Sequence, residues 1–237
     1  MRRTSVKTSV ARALGRIGFE LHRCESRRTA QLLRRRNVDL VVDVGAARGW
    51  YGVELRRGGY RAAIISFEPL TNSFEVLRRV SSRDGRWTAV NKALGAAPRQ
   101  SVINVAANGD SSSLLPMLER HRGAAPQATY IQQQTIVVAR LDDELPLYDL
   151  SPEYPFLKMD VQGFEREVLQ GASRTINSLV GIQIEVSFAP LYEGGMMYDE
   201  ALITLRDAGF IPVGIEPGFR DKDGVLLQAD VVMVRPN

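Results

Sequence analysis

Acidic residues and glycines stand where two buried strands of this sequence are expected to end. Asp43 precedes the turn Gly45-Ala46-Ala47-Arg48-Gly49, and Glu68 follows the next apolar run. A glycine-spaced turn between a strand and a helix offers a nucleotide-like ligand a backbone cradle and a helix N-terminus. A carboxylate at the end of the neighbouring strand can accept both hydroxyls of a ribose. The pattern therefore predicts an adenosine-containing ligand.

The chemistry of this turn narrows the choice of ligand. Dinucleotide-binding enzymes carry G-x-G-x-x-G, in which the middle glycine lets the backbone approach a pyrophosphate. Here the middle glycine is absent, and Asp43 places a negative charge nearby. That charge repels a pyrophosphate but attracts the ammonium and sulfonium groups of S-adenosylmethionine. S-adenosylmethionine is favoured over NAD, although Asp43 and the glycines also fit an ordinary strand-end turn.

Two further carboxylates follow later apolar runs. Asp160 lies at the end of the run 156–161, and Glu185 lies near the end of the run 180–186. Ligands of a doubly wound sheet collect outside the carboxyl ends of its strands, so both side chains are expected beside the nucleotide. Asp160 is the first choice for a base that removes a hydroxyl proton. Alternatively, Asp160 and Glu185 hold a magnesium ion, or they only cap a turn and pair with an arginine.

His121 and Asp142 are weaker candidates. His121 lies in a central insertion that could fold over an acceptor, where a histidine can act as a base, but such a residue is more often merely exposed. Asp142 follows a strand and is expected either to contact the ligand or to cap a turn. Two dispersed histidines and one cysteine do not have the spacing of a zinc site.

The turn belongs to a series of short motifs. They are Asp43-Val44-Gly45-Ala46 with Gly49-Trp50, Phe67-Glu68-Pro69, Ala93-Leu94-Gly95, Ser111-Ser112, Leu141-Asp142-Asp143 and Lys158-Met159-Asp160-Val161-Gln162-Gly163-Phe164-Glu165. From about residue 38 to residue 210, this order resembles the FkbM family of S-adenosylmethionine-dependent O-methyltransferases. The block at Lys158 is the most specific part. The family's usual block looks like KIDVQGAE, so Phe164 replaces a small residue, and Ala47 stands where the family usually has Asn.

The resemblance implies roles for the matching residues. The methionine part of the donor would be cradled by Asp43, Gly45, Ala46 and Gly49, and the ribose would be bound by Glu68. Ser111 and Ser112 would approach the adenine, with a flexible polar loop as the alternative. The implied acceptor is a secondary hydroxyl of a sugar, glycolipid or polyketide-type metabolite. Other functions left open are an NAD-dependent oxidoreductase and a non-catalytic, membrane-docked binding module.

We expect the acceptor pocket to be formed by the insertion and by residues 188–198. The latter segment is rich in aromatic and methionine side chains, which suit a bulky, partly apolar acceptor. The alternative is that these side chains pack in the core beneath a loop.

The elements that must position these residues alternate between strands and helices. Hydrophobic patterns predict strands at 38–44, 62–67, 87–91, 101–105, 134–141, 156–161, 180–186, 210–215 and 229–234, and helices at 50–57, 72–80, 165–170 and 198–208. This alternation predicts an α/β fold with a doubly wound, mostly parallel, Rossmann-like sheet. The resemblance implies that the sheet is of the class I methyltransferase type. The irregular middle predicts an inserted β-hairpin or meander.

The basic character of the chain is concentrated in residues 1–36. These contain eleven Lys and Arg but only two Glu, whereas the remainder has 20 basic and 25 acidic residues. Helical spacing predicts an amphipathic helix, with a second short helix at 27–36, so we assign 1–36 as a basic extension and 37–237 as the methyltransferase domain. The extension either packs on the sheet or contacts an anionic membrane surface. Nucleic-acid binding would require more aromatic residues than Phe19.

Composition points to a cytoplasmic enzyme. The single cysteine excludes an intrachain disulfide and fits a reducing compartment. No apolar run has the length of a membrane span, and the N-terminus lacks the pattern of a signal peptide. We expect a cytoplasmic protein, with the inner face of the membrane as the other location if the basic extension docks there. The oligomeric state is left open.

Overall fold

The described part of the basic extension forms helix α1. The computed structural model describes residues 25–148 and 150–236, so the helix predicted before residue 25 lies outside the described residues. Helix α1, Glu25–Arg35, corresponds to the second short helix predicted there. Its residues Ala30 and Leu33 are fully buried in one cluster with Leu55 and Tyr60. The end of the extension therefore packs into the core of the sheet domain.

Strands and helices alternate along the rest of the described chain. The strands are β1 Leu40–Val44, β2 Ala63–Phe67, β3 Trp87–Val90, β4 Ala93–Leu94, β5 Arg99–Ala106, β6 Tyr130–Ala139, β7 Pro155–Met159, β8 Gly181–Ser187, β9 Ile211–Pro217 and β10 Gln228–Val234. The helices after α1 are α2 Trp50–Arg57, α3 Thr71–Ser81, α4 Glu119–Ala124, α5 Leu141–Glu144, α6 Glu165–Gly171 and α7 Tyr198–Asp207. None of the helices within these residues combines the length and hydropathy that crossing a bilayer requires.

A seven-stranded sheet with the order β3-β2-β1-β7-β8-β10-β9 forms the centre. Neighbouring strands are parallel except around β10, which is antiparallel to both β8 and β9. The order reverses direction at β1, which lies between β2 and β7. This confirms the predicted doubly wound, mostly parallel sheet, and it places the functional edge where β1, β2 and β7 end.

The predicted insertion is a separate small sheet of order β4-β6-β5. Strands β5 and β6 form a long antiparallel pair, and β4 adds to β6 in parallel. Strand β5 is longer at both ends than predicted, whereas β6 begins four residues earlier and ends at Ala139, two residues before the predicted end at 141. Val102, Ile131 and Val137 are exposed on this pair, so its apolar pattern alternates less cleanly than that of a half-buried strand.

The central strands are buried on both faces. All five residues of β1 are buried, and they alternate between two hydrophobic clusters on opposite sides of the sheet. Leu40, Val42 and Val44 face one cluster, while Val41 faces the cluster that includes α1, α2 and α3 residues. Because side chains alternate along a strand, Asp43 shares the face of Val41. A charged group is therefore buried beneath helix α2.

Candidate active site

The turn between β1 and α2 lies directly against the end of β7. Gly45 has a φ of 73°, and a Cβ at this position would lie 1.8 Å from the backbone oxygen of Asp160. Gly45 N and Ala46 N both donate to Phe67 O, at 3.1 and 3.0 Å, and Asp160 N donates to Val44 O at 3.1 Å. The turn is held between the ends of β2 and β7, and only glycine fits at its first position.

Gly49 serves the packing of α2. Its φ is 84°, and a Cβ there would lie 2.9 Å from Leu77 Cδ1 and 3.3 Å from Trp87 Cζ2. Helix α2 therefore begins in close contact with α3 and β3. Gly49 is not part of the cavity wall.

The strand ends open into a cavity of about 510 Å³. Its wall is built from the β1–α2 turn, the ends of β2 and β7, the segment around β4 and the loop that follows β5. Among the residues singled out from sequence, the wall includes Gly45, Ala46, Glu68, Ser112 and Asp160. The size and position of the cavity suit a nucleotide-sized ligand at the carboxyl ends of parallel strands.

A row of buried polar side chains crosses the sheet beside the cavity. Ser66, Asp43, Lys158 and Gln183 occupy neighbouring positions on β2, β1, β7 and β8. Asp43 Oδ2 accepts from Ser66 Oγ at 2.9 Å, and Lys158 Nζ lies 3.4 Å from Asp43 Oδ1 and donates to Gly45 O at 3.2 Å. Burial lowers the pKa of Lys158, but the Asp43 charge and other carboxylates outweigh it and raise the pKa. The lysine is therefore charged. Asp43 is not part of the cavity wall. It is connected to the turn by Lys158, which pairs with Asp43 and donates to Gly45 O.

Replacing Lys158 by methionine is expected to destabilise the fold by about 3–5 kcal/mol, because it leaves the Asp43 charge buried without its cation. The double variant Asp43→Asn/Lys158→Met removes both charges and is expected to recover much of this loss. Urea unfolding of the wild type and both variants measures the effect. A single variant as stable as the wild type would contradict a buried ion pair at this position.

Glu68 is fixed by the backbone on both of its oxygens. Oε2 accepts from Ala47 N and Oε1 accepts from Leu70 N, each at 2.8 Å, and the side chain is buried. Burial raises the pKa of Glu68 to about 7, against the opposing effect of these two N–H groups. A carboxylate has about four acceptor positions, so two hydroxyls can still be bound by the same group. Glu68 is thus oriented in advance at the cavity wall.

Asp160 and Glu185 are brought close together at the ends of β7 and β8. Gln162 Nε2 lies between them, 2.7 Å from Asp160 Oδ1 and 2.9 Å from Glu185 Oε2. An amide N–H group fills the position that a shared cation would need, so the pair does not fit magnesium in this arrangement. Within the described residues, no group of three or more His, Cys, Asp or Glu side chains is arranged to hold a metal. The magnesium ion that the sequence left open as an alternative has no support from these residues.

His121 lies in a buried aromatic cluster. It is 2% exposed, and its ring centroid lies 5.0 Å from that of Tyr192 and 5.3 Å from that of Phe219. Burial lowers the pKa of His121 and keeps the ring neutral. Tyr192 and Met196 are also buried, and no residue of 188–198 is part of the cavity wall. Tyr192 and Met196 thus pack in the core, whereas Tyr198 is 40% exposed, and the contribution of this segment to an acceptor pocket stays a prediction.

Asp142 and Ser111 also lie outside the cavity wall. The buried Asp142 carboxylate accepts from Arg174 N at 3.0 Å and from Thr175 N at 2.8 Å, and so caps a short 3₁₀ turn. Hydrogen bonds to these N–H groups outweigh burial and lower the pKa of Asp142. Ser111 Oγ accepts from Asn108 Nδ2 at 2.9 Å within its own loop. Of the paired serines, only Ser112 reaches the cavity.

Three residues of the site were not assigned a role from sequence. Ala47 adopts a φ of 47° and donates its N–H to Glu68, Ser113 Oγ donates to Gln162 O at 2.7 Å, and Gln162 bridges the two carboxylates. Gln162 stood inside the quoted block at Lys158, and Ser113 stood next to the quoted serines. Their contacts span long separations along the chain, which local patterns do not reveal.

Comparison with protein families shows to which family the chain belongs. A family model described as the methyltransferase FkbM domain matches residues 43–212. The chain belongs to the FkbM methyltransferase family. The matched range contains the β1–α2 turn, Glu68 and the block at Lys158, and it confirms the resemblance seen in the sequence. This FkbM domain is therefore a methyltransferase that depends on S-adenosylmethionine, which decides against an NAD-dependent oxidoreductase.

Solved structures similar to this FkbM domain are remote in sequence. They include magnesium protoporphyrin IX methyltransferase from Synechocystis with bound S-adenosylmethionine, at 11% identity and a TM-score of 0.49, over 90% of this chain and 78% of that one. Fibrillarin from Aeropyrum pernix, also with S-adenosylmethionine, has 12% identity and a TM-score of 0.46, over 83% and 66%. A TehB-like methyltransferase from Corynebacterium glutamicum has 10% identity and a TM-score of 0.45, over 98% and 97%. No curated protein matches the chain.

The affinity of the FkbM domain for S-adenosylhomocysteine, the donor product, is expected to fall as the pH drops below about 7. The ribose hydroxyls are expected to donate to an ionised Glu68, and burial has raised the pKa of that group to about 7. The association constant is expected to decrease up to about tenfold per pH unit below the pKa and to level off above it. Calorimetric titrations from pH 6 to pH 8 measure this slope.

The control for this pH dependence is Glu68→Gln, which keeps the shape but cannot ionise. Its affinity is expected to be weaker at high pH and to vary little between pH 6 and pH 8. A wild-type affinity that does not change with pH, or a slope that persists in Glu68→Gln, would contradict the assignment of the ribose to Glu68.

Proposed function

We propose that this FkbM methyltransferase methylates a hydroxyl oxygen of a small-molecule acceptor, namely a sugar, glycolipid or polyketide-type metabolite, with Asp160 as the base. The observation that carries the proposal is the place of Asp160 at the cavity wall, at the end of β7 and against Gly45. Its side chain is 36% exposed, whereas Glu68 on the same wall is buried and bonded to the backbone on both oxygens. Asp160 is thus the more accessible of these two wall carboxylates.

The walls of the cavity divide into parts that would hold different portions of the donor. The turn at Gly45, Ala46 and Ala47 would hold the methionine part, and Glu68 would hold the ribose. The adenine would lie against an apolar wall made of Leu70, Leu94, Ile103, Leu114 and Phe164. S-adenosylmethionine, when bound, supplies an electrophilic methyl group. The protein must align the acceptor oxygen with that methyl group and exclude competing water.

The chemical task of Asp160 is to take the hydroxyl proton as the oxygen becomes bonded to the methyl carbon. A positioned carboxylate can do this at neutral pH because the proton is transferred within the transition state. Lys158 Nζ lies 3.9 Å from Asp160 Oδ2, so a cation stands beside the carboxylate that would take the proton. The products are a methyl ether and S-adenosylhomocysteine. Oxygen as the methylated atom is part of this proposal.

A sugar hydroxyl is the acceptor group that the rim of the cavity suits best. Trp50 stands at the start of α2, lines the cavity and is 63% exposed, so its ring is accessible for packing against an acceptor. Contact of residues 1–36 with a membrane, which would suit a glycolipid, stays a prediction, since most of that segment lies outside the described residues. The cytoplasmic location and the absence of nucleic-acid partners likewise stay predictions.

Mass spectrometry of lipid and glycoside extracts from cells with and without the gene tests the proposed function. We expect one species to gain the mass of a methyl group in place of a hydrogen when the gene is present. Complementation with Asp160→Asn, expressed at the same level, is expected to leave that species unmethylated. A non-catalytic binding module predicts identical extracts in all strains, and that result would sink the proposal.

A further inference from the structure

Gln162 has a backbone conformation that residues with side chains rarely adopt. Its φ is 54°, in the turn that follows β7. The left-handed conformation costs such a residue about 1–2 kcal/mol. Ser113 Oγ donates to Gln162 O at 2.7 Å, and Glu165 Oε1 accepts from Val161 N and Gly163 N, at 3.2 Å each. These contacts hold the strained turn, and the strain points to a role for the side chain.

The Gln162 amide contacts three side chains at once. Nε2 donates to Asp160 Oδ1 at 2.7 Å and to Glu185 Oε2 at 2.9 Å, while Oε1 accepts from Tyr192 OH at 2.7 Å. An amide donates only through nitrogen and accepts only through oxygen. Two carboxylates on one side and a hydroxyl on the other therefore determine which way the amide points.

Asp160 is held from two sides as a result. Gln162 binds its Oδ1, and Lys158 Nζ lies 3.9 Å from its Oδ2. The side chain is nevertheless 36% exposed at the cavity wall, so these contacts fix its direction without closing it off. A displacement of about 1 Å in a reacting geometry can cost on the order of a hundredfold in rate. The direction of the Asp160 carboxylate therefore matters for catalysis.

Glu185 is the second carboxylate that accepts from Gln162 Nε2. It is not part of the cavity wall, and its Oε2 also accepts from Gln228 Nε2 at 2.7 Å. Burial raises the pKa of Glu185 well above its usual range, and the charges of Asp160 and Asp230 add to this. A donor placed between two neighbouring carboxylates offsets the repulsion between them. Gln162 thus links an accessible carboxylate to a fixed one.

We propose that Gln162 is a positioning residue for methyl transfer, whose amide fixes Asp160 at the cavity wall by tying it to Glu185. Tyr192 sets the direction of the amide. This inference rests on the proposed function, because it gives the direction of Asp160 a purpose only if Asp160 is the base. The inference goes beyond the proposed function because it makes a neutral side chain, Gln162, responsible for the orientation of the base.

Turnover and donor binding in Gln162→Met test the proposal. Methionine keeps the length of the side chain but removes the polar atoms, and Tyr192 OH retains Ser111 O at 3.2 Å as an acceptor. We expect kcat to fall about ten- to hundredfold while the affinity for S-adenosylhomocysteine stays within about threefold. Gln132→Met makes the same chemical change at an exposed position of β6 and is expected to leave both quantities unchanged. Wild-type kcat in Gln162→Met would overturn the proposal.

A double-mutant cycle with Tyr192→Phe separates positioning from a merely structural role. Tyr192→Phe is expected to lower kcat in the wild-type background, since the amide loses the hydroxyl that orients it. In the Gln162→Met background the same change is expected to have little further effect, because no amide remains to be oriented. Effects on kcat that simply add would show that Tyr192 and Gln162 act separately and would overturn the proposed arrangement.

Manganese binding by Gln162→Glu tests the placement of the amide without any turnover. A carboxylate at position 162 would join Asp160 and Glu185 to form a set of oxygen ligands that suits Mn²⁺. We expect electron paramagnetic resonance to show Mn²⁺ bound to Gln162→Glu, but not to the wild type at the same concentration or to Asp160→Asn/Gln162→Glu. A folded Gln162→Glu variant that binds no more Mn²⁺ than the wild type would overturn the placement.

Failure of the proposed function can be distinguished from failure of the positioning role of Gln162. A wild type that methylates no acceptor contradicts the proposed function, and the manganese experiment still decides whether position 162 lies between the carboxylates. A wild type that methylates its acceptor while Gln162→Met keeps full kcat contradicts the positioning role alone.

Discussion

Replacing Gly45 by alanine is expected to abolish donor binding and to lower the free energy of unfolding by about 3–5 kcal/mol. The added Cβ would lie 1.8 Å from Asp160 O, a backbone atom that cannot rotate away. The φ of 73° adds the cost of a left-handed conformation for a residue with a side chain. The end of β7 would have to move away from the turn, and the cavity would lose the wall that both segments form.

The matched control is Gly194→Ala. Gly194 has a φ of 68°, but a Cβ there would meet no atom within 4 Å. Its replacement is expected to cost about 1–2 kcal/mol, the conformational part alone, and to leave the affinity for S-adenosylhomocysteine unchanged. Chemical unfolding and calorimetric titration of both variants measure the two effects. Equal losses of stability in the two variants would mean that the approach of β7 to the turn is not as close as described.

Replacing Asp160 by asparagine is expected to reduce kcat by about 10²- to 10⁴-fold, the usual contribution of a general base. Asparagine has nearly the same shape, and its oxygen can still accept from Gln162 Nε2, so the local structure is expected to persist. The affinity for S-adenosylhomocysteine is therefore expected to stay within about threefold of the wild type. Single-turnover kinetics with saturating donor measure the chemical step directly.

The comparison variant for Asp160→Asn is Asp143→Asn, an aspartate outside the cavity wall. Asp143 forms an ion pair of 3.1 Å with the exposed Arg174, so its loss is expected to have little effect on kcat or stability. An Asp160→Asn variant with a chemical step as fast as that of the wild type would show that another group removes the proton.

The fold could be predicted from sequence because its signals are local. The strand β1 and its turn, the helix α2 with glycines after it, and the strand β7 are each encoded in a few neighbouring residues. Strand β4 was missed because two residues are too few to show a period. The start of β6 and both ends of β5 were missed because these outer residues are polar or exposed, and the buried Leu141, which begins α5, was wrongly added to the end of β6.

The site was predictable where the chain itself places a residue at a strand end. Gly45, Glu68 and Asp160 all follow buried strands, and the parallel sheet brings them to one cavity. Asp142 follows a strand of the small sheet instead, and its carboxylate is occupied by Arg174 and Thr175. A carboxylate that follows a strand therefore lines the cavity when the strand belongs to the seven-stranded sheet. The carboxylate that follows a strand of the small sheet caps a turn instead.

Contacts between distant segments account for the rest of the differences. Tyr192, from the aromatic segment that suggested an acceptor pocket, packs against His121 and bonds to Gln162, so this residue supports the site from the core. Asp43 was assigned to the donor for its charge, but Lys158 on the neighbouring strand lies 3.4 Å from it inside the sheet. Such pairings depend on the register between strands that are far apart in the chain, and local sequence patterns do not show this register.

The fate of an isotopically labelled methyl group tests the central claim most directly. The purified enzyme would be incubated with S-adenosylmethionine carrying a ¹³C methyl group and with the acceptor found in the extracts, and the product would be examined by ¹³C nuclear magnetic resonance. The account predicts a single labelled signal in the region of methyl ethers, absent with Asp160→Asn. A labelled methyl group bonded to nitrogen, carbon or sulfur would contradict it, as would release of S-adenosylhomocysteine with no labelled product.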